Sequence, residues 1–294
     1  MSARASTDVQ LISGLSEVAE PYDGFILDLW GVLHDGVKTY PGALACLHEL
    51  RRLDKRVAIL SNAPRRSAAV AERCAELGIT PDLYRVLHSS GEDAWRHLDR
   101  RPDSWYAALG RRAYAIAPAR DHGLFENLDL MLVDDCATAD FVVVTGTTRG
   151  DEQVADFESI LRRAVQFNLP MICANPDLEV VRDGVREICA GAIAARYQAL
   201  GGFVRYHGKP DPAVYQACLN GLDHLDKARV LAIGDSLRTD IAGAVGSGLD
   251  SLFVIGGIHG AELVGPNGPD ANGLAAAFGR AGQWPTYAMA SFVW

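Results

Sequence analysis

The run Phe25-Ile26-Leu27-Asp28-Leu29-Trp30-Gly31-Val32-Leu33 constrains this chain more than any other stretch. Its apolar start lacks the alternation of a half-exposed strand. It reads as a strand buried on both faces, the kind found in a parallel sheet covered by helices. The strand ends on a single carboxylate, and a glycine turn follows. Open α/β sheets hold their ligands at the carboxyl edge of the strands, so Asp28 is the first candidate for a reactive group.

The same alternation of apolar runs and helical patterns continues along the chain, which predicts an α/β fold built on a parallel sheet. A short amphipathic segment, 9–19, precedes the first strand. A helix over 43–53 carries Leu44, Leu47 and Leu50 at helical spacing. The strand 57–60 ends on Ser61-Asn62, and a helix over 68–77 stops at Gly78. Near Ser89-Ser90-Gly91 a second set of units begins, with strands over 113–116, 141–144 and 171–174 and a helix over 157–166. The first style returns with Gly208-Lys209-Pro210-Asp211-Pro212, a helix over 213–219 and strands over 230–233 and 252–255. The expected organisation is a core of residues 1–88 and 182–294 with an inserted α/β domain over 89–181.

Composition removes several function classes. The 294 residues carry a net charge of −9 and no basic run, which argues against electrostatic binding to nucleic acid or an anionic membrane. No apolar stretch approaches the ~20 residues of a membrane span. Residues 1–8 lack the layout of a secretory leader. The six cysteines are scattered without a CxxC pair, which argues against a zinc ribbon or a disulfide framework and for reduced thiols in a cytoplasmic protein. There is no Gly-x-Gly-x-x-Gly after the first strand, no His-Glu-x-x-His and no Gly-x-Ser-x-Gly elbow. Gly202 to Lys209 fails as a P-loop, being one residue too long and having Pro210 where a hydroxyl belongs. Gly243 to Gly248 reads as helix packing. Trp95, Trp105, Tyr106 and Tyr114 read as the core of the inserted domain.

Polar groups recur where apolar strands end or helices begin: Asp28, Ser61 with Asn62, Lys209, and Asp235 with Asp240. Singly, each reads as a cap or turn residue. Together they supply the parts of a phosphoryl-transfer site. A carboxylate, Asp28, attacks phosphorus and carries the group. Asp28 and Asp235 suit a hard cation such as Mg²⁺. Ser61, Asn62 and Lys209 bind the phosphoryl oxygens, and Lys209 also restrains the like-charged carboxylates. Asp240 holds a water of the cation or orients Lys209.

The order and spacing of these groups resemble the haloacid dehalogenase (HAD) superfamily. Asp28-Leu29-Trp30-Gly31-Val32 matches its first motif, Ile59-Leu60-Ser61-Asn62 its second, Gly208 to Pro212 its third, and Ile233-Gly234-Asp235 through Asp240 its fourth. The insert between the second and third motifs resembles the class IIA (NagD-like, 4-nitrophenylphosphatase-like) branch. Cys173-Ala174-Asn175-Pro176-Asp177 and Ala190-Gly191-Ala192 resemble that branch's return from cap to core, which puts Asn175 and Asp177 at the cap–core seam. The resemblance implies a Rossmann-like three-layer core with an inserted cap and a Mg²⁺-dependent phosphatase acting on a small phosphorylated metabolite. It further implies an aspartyl-phosphate on Asp28, a metal held by Asp28, Asp235 and the Trp30 backbone carbonyl, and a possible homodimer.

The departure is Trp30. The family's hydrolases usually carry Asp there as the general acid, and an indole does not exchange protons near neutral pH. Two readings of His34 and Asp35 stand: a substitute acid folded back over the site, or exposed residues of a flap. Trp30 also motivates an alternative function, a phosphate-metabolite binding or regulatory protein with weakened turnover.

Overall fold

The protein is described here by a computed structural model covering residues 9–265 and 268–294. The expectation for residues 1–8 lies outside them. The chain divides into two compact units, one of Met1–Ser61, Ala71–His88 and Lys209–Trp294, the other of Asn62–Val70 and Ser89–Gly208.

The first unit is built on a seven-stranded sheet in the order Gln10–Leu11, Tyr287–Met289, Asp250–Val254, Val230–Gly234, Gly24–Leu27, Arg56–Ser61, Val86–Ser89. The central strands are buried along their whole length, which is why they read as unbroken apolar runs rather than alternating ones. Phe25, Leu27, Ile59 and Leu231 are fully enclosed. The helix Ala43–Arg52 buries Ala43, Cys46, Leu47 and Leu50, one face at helical spacing. The helix Pro212–Gly221 starts with Pro212 in its first turn, where the missing N–H costs nothing, and the Asp211 carboxylate caps it by accepting the Ala213 N–H at 2.9 Å. The amphipathic segment 9–19 forms an edge strand, Gln10–Leu11, and a single tight turn, Leu15–Glu17.

The second unit holds a five-stranded parallel sheet in the order Val204–Tyr206, Met171–Cys173, Phe141–Val144, Arg112–Ile116, Met131–Val133. Val142, Val144, Leu161 and Tyr197 pack in one apolar cluster, and Phe141, Val143, Tyr106 and Leu98 in another. Trp95 and Trp105 pack against the second cluster and Tyr114 against the first. This unit is longer than expected. Residues 182–208, read from the sequence as core, belong to it. They complete the hairpin Glu179–Arg182/Val185–Ile188, then form the helix Ala190–Ala199 and the edge strand Val204–Tyr206. The helix is apolar on most sides, so its periodicity carries no sign of which sheet it covers.

All six cysteines are buried, and none forms a disulfide. Among the described residues no helix is long and apolar enough to cross a membrane.

Candidate active site

The register of the first sheet assembles the site. Leu27 pairs with Ile233 on one side and with Ile59 on the other, and the Asp28 N–H donates to the Ile233 carbonyl at 2.9 Å. Asp28, Ser61 and Asp235 therefore arrive at the carboxyl ends of three neighbouring parallel strands, the edge where such sheets hold ligands. Ser61 is buried there. Asn62 belongs to the second unit, and its Nδ2 donates to Asp177 Oδ1 at 2.9 Å. Asp177 is fixed in turn, its N–H donating to Asn175 Oδ1 at 3.0 Å.

Asp240 is delivered by a wide turn, Leu237–Ile241. The Ser236 N–H donates to Asp240 Oδ2 at 3.1 Å, and the Asp240 N–H donates to the Ser236 carbonyl at 3.0 Å. The Tyr215 hydroxyl, deep in the core, donates to the Asp240 carbonyl at 2.9 Å. One ammonium ties the cluster together. Lys209 Nζ lies 2.7 Å from Asp28 Oδ1 and 2.7 Å from Asp240 Oδ1, and its side chain is only 2% exposed. Asp28, Asp235 and Asp240 each place a carboxylate oxygen within 4.8 Å of the other two.

Three buried carboxylates and one lysine leave the cluster strongly negative. Burial, then the charges of Asp28 and Asp240, push the Asp235 carboxyl well above the usual carboxylate range, although the Ile258 N–H donates to its Oδ2 at 2.7 Å. Such a cluster calls for a further positive charge. An all-oxygen donor set suits a hard divalent cation. Gly31 makes room for this arrangement. Its φ is +76°, and a Cβ there would stand 1.8 Å from Asp235 Oδ2. Tyr40 was not singled out from the sequence. Its half-buried phenol is pushed up to about 12 by burial and then by the charge of Asp235.

The flap after the first strand is tightly folded. Trp30 and His34 form a bridge, their rings meeting edge to face at 5.2 Å between centroids. A Cβ on Gly36, whose φ is +87°, would fall 2.1 Å from the Trp30 ring, so the outer edge of the indole packs directly against that glycine. His34 is not an exposed flap residue. It is buried, and its Nδ1 accepts the Gly36 N–H at 3.0 Å, which fixes the ring's proton on Nε2. Asp35 accepts the N–H groups of Val37 at 2.9 Å and Lys38 at 2.8 Å. Partial burial alone would raise the Asp35 pKa. The backbone N–H groups of Lys38 and Val37, with the Lys38 charge, outweigh it and hold the carboxyl below the ordinary value. Arg73 pins the flap through a bond from Nη2 to the Gly36 carbonyl at 3.0 Å.

Comparison with known proteins agrees with this geometry. Residues 25–130 match the family model of haloacid dehalogenase-like hydrolases, and residues 206–274 match a HAD-hydrolase-like model. The ribonucleotide monophosphatase NagD of Escherichia coli is 30% identical over 79% of this chain and 87% of its own. A haloacid dehalogenase-like hydrolase of Brucella suis has the same fold at a TM-score of 0.83, with 31% identity over 96% of this chain and 100% of its own. A glycerol phosphate phosphatase of Mycobacterium tuberculosis, solved in complex with calcium, aligns at a TM-score of 0.61 with 26% identity over 82% of this chain and 68% of its own. The chain belongs to the haloacid dehalogenase-like hydrolases and is an enzyme of the phosphoric monoester hydrolase type.

Proposed function

We propose that the protein is a Mg²⁺-dependent phosphatase of small phosphorylated metabolites that works through a phosphoryl group carried on Asp28. The observation that carries this reading is the buried cluster in which Lys209 bridges Asp28 and Asp240 beside Asp235. In the first step an Asp28 carboxylate oxygen forms a bond to phosphorus while the ester P–O bond breaks, and its electron pair leaves with the organic oxygen. In the second step water attacks the phosphoryl group, the acyl-phosphate P–O bond breaks, and Asp28 returns as a carboxylate with inorganic phosphate released. Lys209 and Ser61 bind the phosphoryl oxygens as charge redistributes between them. Asp240 orients Lys209.

Asp28, Asp235 and the Trp30 carbonyl are the residues that would hold Mg²⁺, which when bound offsets the charge of two anions brought together. The calcium in the Mycobacterium tuberculosis relative supports a hard cation. The NagD relative supports a small phosphate ester as substrate and favours turnover over binding alone.

Trp30 shapes the rate. Its indole supplies no proton to the leaving oxygen, the neutral His34 ring has Nδ1 occupied, and the Asp35 carboxylate is held ionised by its turn. Leaving groups that depart as stable anions are therefore favoured over simple alkoxides. A phosphate-release screen over aryl, acyl, sugar and nucleotide phosphates, with and without Mg²⁺, tests the reading. Release that requires Mg²⁺ and is lost in Asp28→Asn supports it. No release from any ester refutes it.

A further inference from the structure

A second group of metal-ligating side chains lies in the second unit, and the proposed phosphatase chemistry does not use it. The helix Ser90–Arg100 carries Asp93 and His97 one turn apart, so both side chains share one face. The segment after the edge strand Val204–Tyr206 brings in His207. One donor atom from each of Asp93, His97 and His207 lies within 4.8 Å of the other two. His207 Nδ1 is 2.6 Å from Asp93 Oδ2, and the His97 and His207 rings stand 4.8 Å apart between centroids.

The surroundings of the two imidazoles separate this group from an incidental polar contact. Ligand histidines nearly always have their other nitrogen anchored by an acceptor that fixes the ring. His97 has that anchor, Nδ1 to the Asp93 carbonyl at 2.8 Å. His207 has it too, Nε2 to the Tyr106 hydroxyl. His207 is held on the backbone as well, its N–H donating to the Cys173 carbonyl at 2.9 Å and its carbonyl accepting the Ser90 hydroxyl. Arg205, which packs over the Tyr106 ring, pairs with Asp103 at 2.6 Å, which offsets its charge. His207 is nearly enclosed, whereas the His97 side chain is 34% exposed and leaves a side open to solvent for entry and a water ligand.

We propose that Asp93, His97 and His207 form a binding site for one divalent cation of the zinc class. Two imidazole nitrogens and one carboxylate oxygen with an open fourth position suit such an ion, whereas the oxygen-only cluster around Asp28 suits Mg²⁺. With the ion on His207 Nδ1 beside Asp93 Oδ2, the ring's proton stands on Nε2, where Tyr106 Oη accepts it. The ion joins the helix Ser90–Arg100 to the residue two positions before Lys209.

The full chain, stripped of metal with a chelator and then supplied with excess Mg²⁺, is titrated with Co²⁺ and followed by visible absorption. The proposal expects one equivalent of Co²⁺ to give the intense absorption of a four-coordinate site, with Zn²⁺ displacing it. His97→Ala, a helix-favouring change at a partly exposed position, abolishes the signal and leaves Mg²⁺-supported phosphate release unchanged. Tyr106→Phe keeps the signal with affinity ~10–100-fold weaker. His207→Gln also abolishes it, and His97→Ala decides the matter if that variant does not fold. Absence of the absorption, or its persistence in His97→Ala, overturns the proposal.

Discussion

Among the described residues the protein carries two groups of potential metal ligands, and they are built from different chemistry. In the first unit Asp28, Asp235 and Asp240 are all carboxylates, all buried, and balanced in part by the Lys209 ammonium. In the second, one carboxylate meets two imidazoles, each anchored at its other nitrogen, and no lysine enters. The first group crowds three carboxylates around one ammonium. The second is complete as a hydrogen-bonded set. The difference teaches that crowded like charge marks a need for a cation, and oriented ring nitrogens beside a carboxylate a capacity for one.

The largest effect expected on this contrast comes from Lys209. Lys209→Met leaves three buried carboxylates with no ammonium. It costs about 3–5 kcal/mol of stability in the metal-free protein, as breaking a buried pair does, and phosphate release falls sharply. Thermal unfolding in a chelator and steady-state rates in Mg²⁺ measure the two. A rise in melting temperature would show that the cluster is protonated rather than paired.

Mg²⁺ distinguishes the groups by pH. The folded pKa of Asp235 is raised, so its contribution to the metal-free fold is fully present below the ordinary carboxylate pKa and is lost as pH rises through the folded value. Mg²⁺ needs the ionised form, so its stabilisation grows as pH rises. At saturating metal it reaches about 2.7 kcal/mol at 100 times Kd. Melting curves with and without Mg²⁺ at mildly acidic and mildly alkaline pH check this. An equal Mg²⁺ effect at both would place the cation away from Asp235.

Trp30→Asp introduces a carboxyl two residues after Asp28 as a proton donor. It is expected to raise turnover of alkyl phosphates by up to about 10²-fold and to change aryl phosphates little, since phenoxides need no protonation. A rate plot against leaving-group pKa reads this as a shallower slope. An unchanged slope would mean that another group already supplies the proton. The smallest effect is at the flap tip. Asp35→Ala removes the acceptor of two N–H groups and costs about 1 kcal/mol, with activity retained, measured by denaturant unfolding.

Much of this was legible in the sequence, for a specific reason. Asp28, Ser61 and Asp235 each end an unbroken apolar run, and a parallel sheet brings such ends to one edge. Lys209 and Asp240 stood out as polar groups where strands end or helices begin, and the resemblance of their motifs reinforced them. Asn62 was drawn in by its adjacency to Ser61, and its bond to Asp177 had no signal in the sequence. The end of the inserted unit was misplaced because the helix Ala190–Ala199 is apolar on most of its surface and the hairpin before it is half-exposed. Tyr215 and Tyr40 gave no signal. Tyr215 looked like one more apolar position of the helix Pro212–Gly221, and Tyr40 like a turn residue before Pro41. The triad of Asp93, His97 and His207 is split by more than a hundred residues, and only the fold of the second unit joins it.

The most direct test of the account is acid-quenched mass spectrometry of the enzyme during turnover of an aryl phosphate in Mg²⁺. The account predicts one phosphoryl group on the peptide bearing Asp28, accumulating because no group at position 30 activates the hydrolytic water, with neither adduct nor turnover in Asp28→Asn. Undiminished turnover in Asp28→Asn, or a phosphoryl group on another residue, would contradict it.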